Sequence, residues 1–282
     1  MAERTATVGD QVLTSDGLFL ICGPCVIESE ALCRRVAEHM KAVTGRLGMP
    51  YVFKASYDKA NRTSGASFRG PGWDEGLMIL RQIRQDVGVP VLSDVHTMDE
   101  AEKAGGVLDC LQVPAFLCRQ TDLVQAAAKW GNAVNLKKGQ FLAPWDMKHV
   151  VAKAEDAGAT NILVTERGAS LGYNRLVSDM TAIPVLAELG HPVVFDATHS
   201  AQQPGGLGTA TGGSRDVAAL LAKAAVAAGA DGLFLEVHPD PDNAKSDGPN
   251  SIALPDVEAL LETCLAIRAA MAAADAPGKP GG

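Results

Sequence analysis

The sequence lacks any hydrophobic run long enough to cross a bilayer, which takes about 20 consecutive apolar residues. Its 282 residues are 47% hydrophobic, and that content is spread evenly along the chain. Residues 1–5 do not combine a charged start with an apolar stretch, so a signal peptide is not expected. These features predict a soluble, cytoplasmic protein with no membrane partner.

The chain also lacks a surplus of positive charge. It has 25 Lys and Arg against 33 Asp and Glu, a net charge of -8. Binding to a phosphate backbone needs distributed positive charge, so a nucleic-acid partner is not expected. The cations are instead grouped in short segments, which suits small anionic ligands. These groups contain Lys54, Lys59, Arg62 and Arg69, then Lys137 and Lys138, and finally Arg167.

Cysteines are few, and they do not form the dense framework of a small secreted domain. The six cysteines are scattered from position 22 to position 264, so disulfides are not expected. Cys22 and Cys25 have C-x-x-C spacing, but Pro24 and the preceding strand-like run fit a thioredoxin-type helix start poorly. No second pair supports a zinc ribbon.

Eight β-rich runs alternate with amphipathic segments of helical length. Continuously apolar runs such as 193–195 and 233–235 are typical of parallel strands buried on both faces. The pattern predicts an α/β fold, a single (β/α)8 TIM barrel over residues 1–273 with an N-terminal β-hairpin at 5–14 and a disordered tail at 274–282. The predicted strands are 18–22, 51–54, 89–93, 110–113, 133–137, 162–165, 193–196 and 232–237. The predicted helices are 29–47, 73–87, 98–105, 119–130, 146–157, 177–189, 214–229 and 255–273. Ser29, Asp99 and Ser214 are the predicted helix caps.

Polar side chains follow the predicted strands. Barrel active sites are built at the carboxyl ends of the strands, so this placement predicts a catalytic centre there. The residues concerned are Cys25, Lys54, Asp94, Gln112, Lys137, Glu166, Arg167, Asp196, His199 and Glu236.

Four of the candidate residues are of metal-ligand type: Cys25, His199, Glu236 and Asp247. Taken singly, a buried cysteine is more often an apolar filler, a loop histidine is usually solvated, and Asp247 could belong to a turn. Glu236 differs, because a carboxylate that ends an apolar strand needs a partner or a metal. Together they form a mixed sulfur, nitrogen and oxygen site suited to a divalent transition ion such as zinc or iron(II), without deciding which.

The segment 54–64 combines two lysines, an arginine and several hydroxyl groups, which can hold phosphate and carboxylate oxygens. The alternative is a solvated basic loop. Lys137 and Arg167 would point at the same barrel mouth, which favours two anion pockets there. Asp94 and His96 could bind substrate hydroxyls or simply cap the next helix.

Several motifs resemble those of the 3-deoxy-D-manno-octulosonate 8-phosphate synthases, which condense phosphoenolpyruvate with arabinose 5-phosphate on the route to a lipopolysaccharide sugar. The similarity runs from Gly-Pro-Cys-Val-Ile-Glu-Ser at 23–29 through Gln-Phe-Leu-Ala-Pro at 140–144 to Asp-Gly-Pro at 247–249. Lys-Ala-Asn-Arg-Thr-Ser at 59–64 resembles this family's signature, whereas the related shikimate-pathway synthases have a Lys-Pro-Arg-Thr type element.

The resemblance also implies roles for individual residues. The family has a metal-independent form with asparagine at the place of Cys25, so Cys25 implies the metal-dependent form, with one divalent ion (zinc, iron(II), manganese or similar) per subunit of a homotetramer. The implied metal ligands are Cys25, His199, Glu236 and Asp247. The implied phosphoenolpyruvate-binding residues are Lys54, Ser56, Lys59, Lys137 and Arg167. The implied arabinose 5-phosphate-binding residues are Asn61, Arg62, Thr63 and Asp94, with His96 as a weaker match. Gln202 is also a weaker match, without an assigned substrate. Lys59, His199 and Asp247 are the candidates for proton transfer, and Cys25 would hold the ion.

Two alternatives stay open at this point. A 3-deoxy-D-arabino-heptulosonate 7-phosphate synthase, or another phosphoenolpyruvate-condensing synthase, would share the barrel and the metal ligands but accept another aldehyde. A non-catalytic sugar-phosphate sensor would keep the cationic pocket and could lose the ion. The presence of all four metal-ligand residues argues against the sensor.

Overall fold

The computed structural model describes residues 3–62, 64–205 and 212–275. In it, the eight apolar runs form eight parallel strands whose residues are all buried. Each strand pairs with its neighbours in chain order. The last strand pairs with both the first and the seventh: Gly232 lies opposite Phe19 and also opposite Val194. The sheet is therefore closed, and the predicted (β/α)8 barrel is confirmed. Its strands are β1 (Phe19–Gly23), β2 (Tyr51–Lys54), β3 (Val91–Asp94), β4 (Cys110–Val113), β5 (Val134–Lys137), β6 (Ile162–Glu166), β7 (Val193–Asp196) and β8 (Gly232–His238).

One main helix follows each strand and covers the barrel. Their apolar faces pack on the outward side chains of the strands, forming the larger core. These helices are α1 (Glu30–Leu47), α2 (Trp73–Gln82), α3 (Met98–Gly105), α4 (Thr121–Trp130), α5 (Met147–Asp156), α6 (Ala182–Ala187), α7 (Arg215–Ala227) and α8 (Val257–Asp275). No helix in the described part of the chain is long and apolar enough to cross a membrane.

Shorter elements fill the connections. Ile83–Val87 continues α2 as a π-helical turn, and Ala197–Ser200 is a single helical turn after β7. Three two-residue pairings also occur: Ala169–Ser170 with Leu176–Val177, Gln202–Gln203 with Gly212–Gly213, and Ile252–Ala253 with the end of β8. The 3-10 turns are Ala115–Leu117, Pro144–Asp146, Pro241–Asn243 and Leu254–Asp256.

The helix predicted over 177–189 is wrong in its first five residues, because α6 begins at Ala182. Proline lacks the N–H that a helix interior needs, and its ring clashes with the carbonyl four residues earlier. A start at 177 would place Pro184 in that interior. A start at 182 places Pro184 in the first turn, where backbone N–H groups have no intrahelical partner.

Two predicted caps are confirmed and one is wrong. The hydroxyls of Ser29 and Ser214 accept hydrogen bonds from the N–H groups of Leu32 and Val217. Before α3 the cap is Thr97, and Asp99 lies within the first turn. At the other end of the chain, α8 extends to Asp275, so the first two residues of the predicted tail are helical; residues 276–282 lie outside the described part.

The predicted hairpin is also present and closes the amino end of the barrel. Thr5–Val8 pairs antiparallel with Gln11–Thr14. Its inward side chains join a second, smaller core that fills the barrel interior, with members Ala6, Val8, Leu13, Phe19, Ile21, Val52, Leu92, Cys110, Ala133, Leu163, Val194 and Phe234. Arg4 ties the hairpin to the barrel through a two-point hydrogen-bonded ion pair with the buried carboxylate of Asp231, at 2.7 and 3.1 Å.

Candidate active site at the carboxyl ends of the strands

A cavity of about 770 Å³ opens at the carboxyl end of the barrel. Its walls contain nearly every residue that the sequence assigns to substrate binding, together with His199 and Asp247. Thr63 lies outside the described residues. The lining residues with an assigned substrate are Lys54, Ser56, Lys59, Asn61, Arg62, Asp94, His96, Lys137 and Arg167.

The four metal-ligand candidates meet beside this cavity. One donor atom each from Cys25, Glu236 and Asp247 lies within 4.8 Å of the others. The Nε2 atom of His199 lies 3.5 Å from Glu236 Oε1 and 3.8 Å from Asp247 Oδ2. Asp247 reaches the cluster from a left-handed backbone conformation with φ of 49°, which aspartate tolerates better than most residues. Donors separated by up to 222 positions in the chain thus share one small volume.

The chemistry of these donors fits a divalent transition ion. Burial and the charge of Glu236 raise the pKa of the Cys25 thiol, so the thiol stays protonated beside its two carboxylates. A cation would displace that proton and relieve the repulsion among three anionic donors. The Nδ1 atom of His199 lies 2.7 Å from Asp196 Oδ2, which leaves Nε2 facing the cluster. A carboxylate behind a histidine is the usual arrangement around a metal-binding imidazole.

Glu236 also has a protein partner. The ammonium group of Lys54 donates to Glu236 Oε1 at 2.8 Å and to the carbonyl oxygen of Cys25 at 2.9 Å. Burial would raise the pKa of Glu236, but His199, Lys54 and Lys59 lower it below its usual range, so the carboxylate is ionised. The burial of Glu236 therefore does not by itself require a metal.

Three buried cations, Lys54, Lys137 and Arg167, lie in the deep part of the cavity. The ammonium groups of Lys54 and Lys137 lie 5.4 and 3.8 Å from the ring centroid of Phe234. Arg167 donates to Gln202 Oε1 at 2.8 Å and to the carbonyl oxygen of His199 at 3.1 Å. Burial lowers the pKa of both Lys137 and Arg167, and Asp196 offsets this only in part. A ligand with two anionic groups would supply the missing negative charge.

The outer part of the cavity carries hydroxyl-binding groups. Arg62 donates to the hydroxyl of Ser246 at 2.7 Å, and Asn61 lies beside it in the cavity wall. His96 Nε2 lies 3.0 Å from Asp94 Oδ2. In the deep part, the Ser56 hydroxyl is buried and has no hydrogen-bond partner among the described residues, so it is free to bind a ligand.

Sequence reasoning gave no role to several residues that the structure places at the site. Ser246 lies 2.9 Å from Cys25 Sγ and also binds Arg62. Asp196, which was noted only as a strand-end residue, contacts both Lys137 and His199. The position of Asp196 at the end of β7 was the sequence signal that could have identified it as a site residue. Glu100 on α3 contacts His96, and its spacing of four residues from His96 was the sequence signal available for it.

Comparison with known proteins agrees with this geometry. A family model described as the DAHP synthetase I family matches residues 5–272. A relative from Geotalea daltonii is 58% identical over 252 residues, covering 89% of this chain and 93% of the relative. One from Pelobacter propionicus is 58% identical over 269 residues, covering 95% and 99%. One from Acidithiobacillus ferrooxidans is 58% identical over 243 residues, covering 86% of each.

Each of these relatives is named 2-dehydro-3-deoxyphosphooctonate aldolase, another name for 3-deoxy-D-manno-octulosonate 8-phosphate synthase. The resemblance found in the motifs is therefore confirmed over nearly the whole chain. With its barrel closed and the residues of those motifs gathered around one cavity, the chain belongs to the DAHP synthetase I family.

Proposed function

We propose that this protein is an enzyme that condenses phosphoenolpyruvate with D-arabinose 5-phosphate and water, giving 3-deoxy-D-manno-octulosonate 8-phosphate and inorganic phosphate for lipopolysaccharide synthesis. The observation that carries the proposal is the 58% identity, over almost the full length, to relatives named for this activity. A cavity with separate cationic and hydroxyl-binding parts supports it, because the two substrates carry anionic groups and one of them is a sugar.

Phosphoenolpyruvate binds in the deep part of the cavity. Lys54, Lys137 and Arg167 neutralise its phosphate and carboxylate, with Arg167 supplying planar, paired donors. The Ser56 hydroxyl adds a donor that has no other partner among the described residues. These contacts fix the methylene carbon in one place, and positioning of this kind supplies much of the acceleration of a bimolecular step.

The sugar phosphate binds above it, with Asn61 and Arg62 toward its phosphate and Asp94 toward a hydroxyl group. The electron pair of the enol double bond forms a carbon–carbon bond to the open-chain aldehyde. Water adds to carbon two of the former phosphoenolpyruvate, and phosphate leaves with the electrons of the carbon–oxygen bond. One proton of the water passes to the aldehyde oxygen, which becomes a hydroxyl group, and the other leaves with the phosphate as carbon two becomes a carbonyl.

Lys59 is placed to assist at the aldehyde oxygen. Its ammonium group lies 3.8 Å from Glu236 Oε1. Burial lowers the pKa of Lys59, but the negative charges of the carboxylates Glu236 and Asp94 raise it overall, so the group stays protonated and can donate a hydrogen bond. His199 and Asp247 border the same space and are the other candidates for proton transfer.

Cys25, His199, Glu236 and Asp247 would hold one divalent ion per subunit: zinc, iron(II), manganese or a similar metal. When bound, such an ion supplies a Lewis acid that polarises an oxygen atom of substrate or water. The homotetramer and the cytoplasmic location stay predictions from the sequence.

A competition assay tests the function. The protein is supplied with a divalent ion, phosphoenolpyruvate, and arabinose 5-phosphate and erythrose 4-phosphate at equal concentrations. We expect phosphate release with the eight-carbon sugar phosphate as the main product, and loss of turnover in Lys137→Met. A seven-carbon product would instead indicate the 3-deoxy-D-arabino-heptulosonate 7-phosphate synthase, and tight sugar-phosphate binding without phosphate release would indicate a sensor.

A further inference from the structure

His96 lies between two carboxylates at the edge of the cavity. Its Nδ1 atom is 3.0 Å from Glu100 Oε2, and its Nε2 atom is 3.0 Å from Asp94 Oδ2. All three side chains are at most 19% exposed, so water competes weakly for these contacts. An ionised carboxylate can only accept a hydrogen bond. Both ring nitrogens must therefore donate, and the ring carries a positive charge.

Glu100 is itself held firmly. Its Oε2 atom accepts from the backbone N–H of His96 at 3.0 Å and from the hydroxyl of Tyr57 at 2.8 Å, besides its contact with the imidazole. It lies in the first turn of α3, where the helix dipole favours a negative charge. Burial would raise the pKa of Glu100, but the hydrogen bonds from His96 and Tyr57 lower it.

The same contacts determine the charge of the ring. Burial would lower the pKa of His96, but Asp94 and Glu100 raise it to about 10. The other groups near this cluster are Tyr57, whose ring stands edge-on to the imidazole, and Lys59 and Lys54, whose charges act on Asp94. The charged ring in turn stabilises ionised Asp94, whose pKa lies below its usual range although burial would raise it.

Asp94 is left with one oxygen for a ligand. Its Oδ2 atom faces His96, whereas Oδ1 is buried and has no hydrogen-bond partner in the described part of the chain. Asp94 lines the cavity, and Glu100 does not. Glu100 can therefore influence a ligand only through His96 and Asp94.

We propose that Glu100 is a positioning residue: it keeps His96 doubly protonated, and the charged ring holds Asp94 as the acceptor for a hydroxyl group of the sugar phosphate. The identity of that ligand rests on the proposed function, whereas the charge state of His96 does not.

Glu100→Gln tests this, with Glu102→Gln as the control, because Glu102 is exposed on the same helix. The titration midpoint of the His96 ring is measured by NMR without substrate, with His96→Gln used to assign the signal. We expect Glu100→Gln to lower the midpoint by about one pH unit or more, because one charged partner is lost. The control should leave the midpoint unchanged.

Kinetics give the second measurement. At a pH between the lowered midpoint of the variant and the midpoint of the wild-type protein, the ring is neutral in Glu100→Gln and still charged in the wild type. There the variant should raise the KM for arabinose 5-phosphate by up to about tenfold, the ratio that follows from a shift of about one pH unit, and leave the KM for phosphoenolpyruvate within about twofold. Tyr57→Phe should change the sugar-phosphate KM in the same direction by less. In the His96→Gln background, adding Glu100→Gln should have no further effect, since the two residues act as one unit.

Three results would overturn the proposal: an unshifted midpoint in Glu100→Gln, an equal rise in both KM values, or additive effects in the double variant. If the wild-type protein does not condense arabinose 5-phosphate, the proposed function fails. The NMR midpoint still decides the role of Glu100 in charging His96.

Discussion

Two cysteines three residues apart show how differently one residue type is used at neighbouring positions. Cys22 lies in β1 and packs in the core between barrel and helices, whereas Cys25 lies beyond the strand end and faces Glu236 and Asp247. Burial raises the pKa of both thiols. The two thiols differ in their surroundings, because Cys22 packs among apolar side chains and Cys25 lies beside two carboxylates.

At the residue scale, we expect Cys25→Ala to weaken binding of a divalent ion by at least about 10–100-fold, since loss of a mere supporting contact to a metal ligand already has that effect. The metal content per subunit after gel filtration, measured by mass spectrometry, checks this. Cys22→Ala is the matched control and should retain the ion. If both variants retained equal amounts of the ion, Cys25 would not be a metal ligand. By resemblance to the metal-independent form, Cys25→Asn should keep part of its activity after chelation.

At the scale of the element, two glycines near the end of α1 have opposite roles: Gly45 lies within the helix, and Gly48 is the cap that follows it. Gly45 has ordinary helical backbone angles and lies on an exposed face, while Gly48 ends the helix in the left-handed conformation with φ of 64°. A methyl group added at either position would meet no atom within 4 Å. Backbone conformation, not space, therefore decides the effect of a substitution.

Gly45→Ala should raise the free energy of unfolding by about 0.5–1 kcal/mol, because alanine loses less conformational freedom in a helix. Gly48→Ala should lower it by about 1–2 kcal/mol, because the left-handed conformation strains any residue with a Cβ atom. Urea denaturation of the two variants measures both changes. A shift of the same sign in both would contradict the role given to Gly48.

On the scale of the whole molecule, the two ends of the barrel have different functions, stability at one end and catalysis at the other. The hairpin covers the amino end, and the catalytic loops surround the cavity at the carboxyl end. In barrels of this kind the amino end serves stability and the carboxyl end serves catalysis. Adjacent hairpin residues allow a test, because Leu13 is fully buried and Val12 is 56% exposed.

Leu13→Ala should lower the free energy of unfolding by about 2–5 kcal/mol, through lost burial and the cavity left behind. Val12→Ala should change it by less than about 0.5 kcal/mol. Both variants should keep the KM values of the wild-type protein. A Leu13→Ala protein of normal stability but altered KM would show that the two ends are not independent.

The order of strands and helices was predictable because it rests on local patterns. Residues 193–195 of β7 are continuously apolar because both faces of the strand are buried, and such a run can be recognised in the sequence. The predicted helix start at 177 was wrong because it followed the spacing of apolar residues and did not take account of Pro184, which restricts where the helix can begin. The cap at Asp99 was wrong because a cap is defined by the residue where the helix starts, and α3 starts at Met98.

The barrel and the types of residue at its carboxyl end follow from the amino-acid sequence alone, because burial periodicity and strand-end position are local properties of a chain. The partners across the site follow only from folding: Lys54 meets Glu236 across 182 residues, and Cys25 meets Asp247 across 222. Electrostatic interactions depend on distances through space, which are set by closure of the sheet and packing of the helices.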